Sequence, residues 1–303
     1  MADKISVCIC TFRRPDGLAD LFASLKTLKT DPDMDVSFII IDNDETPSSK
    51  KLVAELSADL PWPVRYVHEK EPGIPSARNR ALEEAGKTGY AVFVDDDETV
   101  AEDWLLELWK AARKSGATFV QGPVNMRVDD ENDAWWLRTI FFRQKQIEDG
   151  APRHESWTNN VLIDLDFITQ HGCRFDEKLR FDGGSDTLFF QDVVREGGHG
   201  TFAANALVHE IQPPSRLTWS WGLMRQYRYG VTRANTALLR MPRWKATLYC
   251  LIRSAGMVTV GLGYLLTSLY RGRLGIADGA GFIWRGAGVL MGGLGARRLE
   301  YAR

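Results

Sequence analysis

The stretch "YAVFVDDDETV", residues 90–100, runs from apolar residues into three consecutive aspartates and then turns polar. Its first half reads as a strand buried on both faces, the kind found in a parallel sheet. Adjacent carboxylates repel and raise one another's pKa unless a cation or hydrogen-bond donors neutralise them. In an extended chain Asp95 and Asp97 project to one side and Asp96 to the other, so two carboxylates can converge on one ion or its ligands. Oxygen-only donors of this kind suit Mg²⁺ or Mn²⁺, which bind through one or two carboxylates together with phosphate oxygens. A solvated acidic turn is the plainer alternative; a position at the end of a buried strand favours ligand binding.

Working outward, short β-rich runs alternate with amphipathic segments. "ISVCIC" (5–10), "VSFIIID" (36–42), "VRYVH" (64–68), "YAVFV" (90–94) and "ATFVQG" (117–122) read as strands. Between them, helices are expected near 15–28, where Pro15 suits a first turn, and near 48–58, 75–86 and 101–115. This alternation predicts an α/β protein, Rossmann-like, with a mostly parallel sheet flanked by helices. Ligands of such sheets sit beyond the carboxyl ends of the strands. There the sequence gathers "TFRR" (11–14), "DND" (42–44), "EKEPGIPSARNRA" (69–81) and "DDD" (95–97).

Farther along, "WTNNVLIDLDFITQHG" reads as a strand and short helix, "GTFAANALVHE" (200–210) as another strand, and 216–240 as a long helix before a Gly-rich apolar tail. The expected divisions are 1–122, 123–215 and a basic, apolar helical region over 216–303. From Ile211 onward, fourteen Lys and Arg face two acids, a net of +12, which leaves −14 for residues 1–210. An acidic first part argues against nucleic acid as partner, and a basic tail suits an anionic surface. The N-terminal "MADKISVCICTF" enters a strand without a basic and apolar leader, and the four cysteines have no C-x-x-C spacing. Both point to the reducing cytoplasm.

Four of these stretches and one farther on, in this order, resemble family 2 glycosyltransferases of the GT-A fold: "ISVCICTFRR", "IIIDND", "GIPSARN" (73–79), "DDD" and "FDEKLRFDGGSD" (175–186). The resemblance implies an inverting transfer of one sugar from a nucleotide-diphosphate donor, a UDP-sugar by expectation, to a hydroxyl of a glycan or lipid-linked saccharide. It makes 1–122 the nucleotide-sugar-binding half and 123–215 the acceptor-binding half of the GT-A domain, with 216–303 a membrane-associating tail. Carried over residue by residue, it implies that Thr11 and Arg13 line the nucleotide pocket, Asp42 contacts the base, and Arg78 reaches base or phosphates. Asp95 or Asp96 takes the ribose side, and Asp97 the Mn²⁺ or Mg²⁺ that bridges the diphosphate. Asp186 takes the catalytic-base position, although Ser185 stands where the family usually has Glu.

His209 is either a third metal ligand or a structural histidine at a strand end. The aromatics Trp135, Trp136, Phe141, Phe142 and Trp157 are either a sugar-stacking wall or core; Trp157 is the one expected to meet the acceptor. The absence of Q-x-x-R-W, where the long helix reads "RQYRYG", argues against a processive synthase. Two rivals stay open: a haloacid-dehalogenase-type phosphatase using Asp95 and Asp97, and a non-catalytic sugar-nucleotide or glycan-binding module. In the tail, "SAGMVTVGLGYLLTSLY" (254–270) has seventeen residues without charge, at the lower limit of about 17 to 25 for a spanning helix. Attachment to the cytoplasmic face of the plasma membrane is the first expectation, burial in the protein or a true span the others.

Overall fold

The computed structural model describes residues 2–180 and 183–296. Residues 181–182, inside the last quoted motif, and 297–303, at the end of the basic tail, lie outside the described residues. The chain divides into two units. The first comprises residues 2–125, 146–180 and 185–210; the second comprises 126–145, 183–184 and 211–296.

In the first unit the elements follow the sequence pattern: β1 (Asp3–Thr11), α1 (Pro15–Leu25), β2 (Met34–Asp42), α2 (Lys50–Ser57), β3 (Val64–His68), α3 (Ile74–Ala85), β4 (Tyr90–Asp95), β5 (Glu98–Val100), α4 (Trp104–Ser115) and β6 (Phe119–Gln121). After β7 (Val124–Arg127) come β8 (Pro152–Arg153), β9 (Asn160–Asp164), α5 (Leu165–Gln170), α6 (Ser185–Arg195), β10 (Gly200–Phe202) and β11 (Val208–Ile211). Eight strands form one sheet in the order β3-β2-β1-β4-β9-β6-β10-β8, and a small second sheet has the order β5-β11-β7. Strands β1 to β4 are parallel. Strand β9 inserts antiparallel between β4 and β6, which the parallel expectation did not include. The run expected as one strand over 200–210 is two strands in different sheets.

The period-2 alternation of β1 explains why helices cover both faces. Ile5, Val7 and Ile9 share one core with Leu18 and Phe22 of α1 and Trp104 and Leu108 of α4. Cys8, on the other face, joins Ala77 and Ala81 of α3 and Phe189 of α6. Each such large side chain removed from water contributes about 1.5–3 kcal/mol. The indole N–H of Trp104 is satisfied by Asn160 Oδ1 at 2.8 Å, which ties α4 to β9.

In the second unit, α7 (Trp219–Arg240), α8 (Arg243–Arg271) and α9 (Arg273–Gly293) pack together. Thr218 caps α7 by accepting the Trp221 N–H, and Pro242 separates α7 from α8. Helix α9 is lined with glycines where backbones touch: a Cβ on Gly288 would lie 2.1 Å from Tyr227 O. Small residues at such crossings let helices approach closely. Residues 126–145 belong to this unit. The Trp/Phe-rich segment there is a 3₁₀ turn, Glu131–Arg138, with Trp136, Phe141 and Phe142 buried against Leu217 and Ala277. These aromatics are core, the plainer of the two expectations. Helix α8, at 29 residues and with a mean hydropathy of 1.4 over its most apolar stretch, is long and apolar enough to cross a membrane.

Candidate active site

Strand register sets the site. Thr11 lies opposite Asp42, and Cys10 opposite Asp95, so the ends of β2, β1 and β4 stand side by side. The chain turns sharply at Asp96 and Asp97 before β5. Helix α1 approaches this turn so closely that a Cβ on Gly17 would lie 2.7 Å from Asp96 O. Glycine at 17 is therefore required for the turn to sit where it does.

The aspartates differ in environment. Asp96 is buried, while Asp95 and Asp97 are half-buried. Burial pushes the Asp95 carboxyl up to about 7; Arg78 opposes this, and Asp97, Asp96 and Asp186 add to it. Burial likewise raises Asp96, against Arg14. Glu98, buried and accepting the Asp95 N–H at 3.0 Å, is held well above its ordinary range by burial and by Asp95. Asp96 Oδ2 and the facing Thr11 Oγ1 are buried without reaching hydrogen-bond geometry. This carboxylate-rich turn is under-neutralised, and a cation would offset it.

Arg14, which sequence reasoning did not single out, supplies part of that charge. Its Nη1 lies 2.9 Å from Asp96 Oδ1 and 2.8 Å from Asp97 Oδ2, so one guanidinium clamps both carboxylates. Adjacent Arg13 turns the other way. It holds a left-handed φ of 54°, uncommon for a residue with a Cβ, and grips Asp44 bidentately at 2.9 Å through Nε and Nη2. This grip, acting against burial and helped by the Glu45 N–H, holds the Asp44 carboxyl at about 2.

Asp42 is fully buried. One of its oxygens accepts from Tyr66 O–H at 2.7 Å and Ser49 N–H at 2.8 Å, the other from Asp44 N–H at 3.2 Å. In this arrangement its carboxylate shapes the turn after β2. Asn43 in turn accepts the Gly73 N–H at 3.0 Å, and Gly73, at φ 127°, opens α3.

Helix α3 carries Arg78 to the N-terminus of α6. There Arg78 Nη1 forms an ion pair with Asp186 Oδ1 and donates to Ser185 Oγ at 3.2 Å. Thr158 offers N–H and Oγ1 to Asp186 Oδ2, each at 3.4 Å. Its chain neighbour Trp157 is 43% exposed. His209 lies opposite Thr99 in the β11–β5 pairing, two residues beyond Asp97. Thus Asp95, Asp96, Asp97, Arg78 and Asp186 form one electrostatically linked group, Thr11 and Asp42 flank it, and Arg13 is turned toward Asp44. Among the described residues no three His, Cys, Asp or Glu side chains gather into a closed metal cage. Carboxylate oxygens such as those of this turn are the donor type that hard divalent cations take, alongside substrate oxygens and water.

Residues 6–194 match the model of Glycosyl transferase family 2. The chain is 34% identical over 229 residues to the succinoglycan biosynthesis protein ExoM of Rhizobium meliloti, covering 75% of this chain and 73% of that one. It is also 25% identical to the teichoic acid poly(glycerol phosphate) polymerase of Staphylococcus epidermidis, over 58% of this chain and 24% of the polymerase. With the glycosyltransferase EpsJ of Bacillus subtilis the identity is 25%, over 59% of this chain and 54% of the relative. The chain belongs to glycosyl transferase family 2, and its first unit is a GT-A fold. It is a glycosyltransferase, and the phosphatase and binding-module alternatives are set aside.

Proposed function

We propose that the protein transfers a single sugar, with inversion, from a UDP-sugar to a hydroxyl of a glycan or lipid-linked saccharide during polysaccharide assembly. The observation that carries the reading is the placement of Asp186 at the start of α6, linked through Arg78 to the aspartate turn. A carboxylate there can take the acceptor's proton as its oxygen attacks the anomeric carbon. Thr158 orients that carboxylate, and Trp157 offers an apolar face for the acceptor sugar. Thr11, Arg13, Asp42 and Asp95 or Asp96 surround the nucleoside, and Arg78 is free to reach phosphates once it leaves Asp186. A divalent cation on Asp97, with His209 as a further candidate ligand, would neutralise the departing diphosphate.

The name of the first relative, succinoglycan biosynthesis, supports a polysaccharide context. The exposed apolar residues of α8, among them Ile252, Leu262, Leu266 and Leu269, support attachment to a membrane, and the cytoplasmic face is the side proposed. The experiment is a panel of nucleotide sugars with Mn²⁺ and a lipid-linked saccharide extract, read as release of each donor's nucleoside diphosphate. UDP release that needs the extract supports the reading. A donor carrying another nucleotide, used in preference, overturns the UDP assignment.

A further inference from the structure

The second unit contains an arginine cluster that sugar transfer does not use. Trp221, Arg225, Tyr229 and Arg233 are spaced four apart on α7 and so form one stripe. The Arg225 guanidinium lies 5.1 Å from the Trp221 ring centroid, 5.5 Å from that of Tyr229 and 5.6 Å from that of Phe142, and its Nε donates to Tyr229 Oη at 2.7 Å. From α9, Arg285 covers the same Tyr229 ring at 5.6 Å and donates through Nε to Gln226 Oε1 at 2.8 Å. These partners are aromatic faces, a hydroxyl and an amide, none of them charged. By contrast, Arg143 and Arg271 in the same unit share the buried carboxylate of Asp278 at 3.1 Å.

Among the described residues no carboxylate pairs with Arg225, Arg233, Arg253 or Arg285. Burial lowers the pKa of Arg285; Tyr229 opposes this, while Arg233, Arg225 and Arg253 add to it. Like charges held together cost energy, and a multivalent anion is the ligand that offsets it. Guanidinium forks suit phosphate geometry.

We propose that Arg225 and Arg285, which share the Tyr229 ring, together with Arg233 four residues on along α7, bind the diphosphate head of a membrane lipid. The lipid source follows from α8: it carries Arg253 next to exposed Ile252 and Leu251, so charge and apolar surface adjoin as they do in such a lipid. Basic pockets between membrane-associated helices serve anionic head groups in this way. The inference rests on membrane attachment of α8, not on the identity of the donor.

The test uses the full chain and three kinds of vesicle: phosphatidylcholine alone, the same with phosphatidylglycerol, and the same with undecaprenyl diphosphate at equal surface charge. Wild type is expected to bind the diphosphate vesicles about tenfold more tightly than the phosphatidylglycerol ones. Arg285→Gln and the exposed Arg233→Gln are expected to lose that preference, while Lys114→Gln, which removes equal charge in the first unit, keeps it. Inorganic pyrophosphate is the second arm: competition assigns recognition to the head group alone, and no competition assigns it to the lipid in its bilayer. Equal wild-type affinity for the two charged vesicles, or an undiminished preference in a variant whose melting temperature is unchanged, overturns the proposal. UDP affinity measured on the same samples reports the first unit, so failure of the donor reading is seen separately.

Discussion

Arg78 forms an ion pair with Asp186, so the arginine that the family resemblance assigns to the donor is held by the carboxylate it assigns to the acceptor. Both side chains are largely buried, at 13% and 16% exposure, where such a pair is screened little. On the proposed reading a donor diphosphate would compete with Asp186 for Arg78, which would make donor binding and release of the base one event. Ser185 Oγ, also on Arg78, takes a share of the guanidinium where a second carboxylate would have bound it more tightly.

Asp186→Asn keeps the shape of the carboxylate and cannot accept a proton at neutral pH. Transfer is expected to fall by about 10² to 10⁴ with donor affinity within a few-fold of wild type. Donor titration beside initial rates checks this. Transfer at the wild-type rate would reduce Asp186 to a helix-terminal charge.

Arg14 clamps Asp96 and Asp97 and so competes with any cation that approaches them. Arg14→Ala is expected to tighten binding of Mn²⁺ alone by up to about fivefold, the equivalent of roughly 1 kcal/mol for a half-exposed pair. Isothermal titration of Mn²⁺ without nucleotide reads it. Weaker Mn²⁺ binding in the variant would mean that Arg14 holds the turn in its binding shape.

Asp44, held at about 2 by Arg13, gives a pH signature. A carboxyl with a depressed folded pKa stabilises the protein above its unfolded value and loses that contribution as pH falls through the folded one. Since Arg13 is 61% exposed, solvent screens the pair and its contribution to stability is small. Asp44→Asn should melt lower than wild type at pH 7, with the gap closing between about pH 4 and pH 2. A gap that persists undiminished at pH 2 would assign the loss to packing.

The first four strands and their helices were legible because a buried parallel sheet writes itself as apolar runs separated by amphipathic segments, each set by local period. Strand order is not local. Nothing in "NVLID" says that β9 inserts antiparallel between β4 and β6, or that 126–145 joins the C-terminal helices. In the candidate site, Asp95 to Asp97 stood out from their place at a strand end, and Asp186 only through the family resemblance. Arg14 was not: adjacent arginines in "TFRR" look equivalent, and the left-handed φ of Arg13 decides which one turns to the aspartates. The signal available was Gly17, three residues on, where only a missing Cβ lets α1 meet the turn.

The most direct measurement is titration of UDP into wild type and Asp97→Ala, each with and without Mn²⁺, followed calorimetrically or by thermal shift. Metal on the aspartate turn bridging the diphosphate predicts tight UDP binding by wild type only with Mn²⁺, with stabilisation of roughly 2.7 kcal/mol at a hundred times Kd. Asp97→Ala is then indifferent to the metal. UDP binding by wild type with the same affinity in both conditions would contradict the central claim that the aspartate turn and its cation receive the donor.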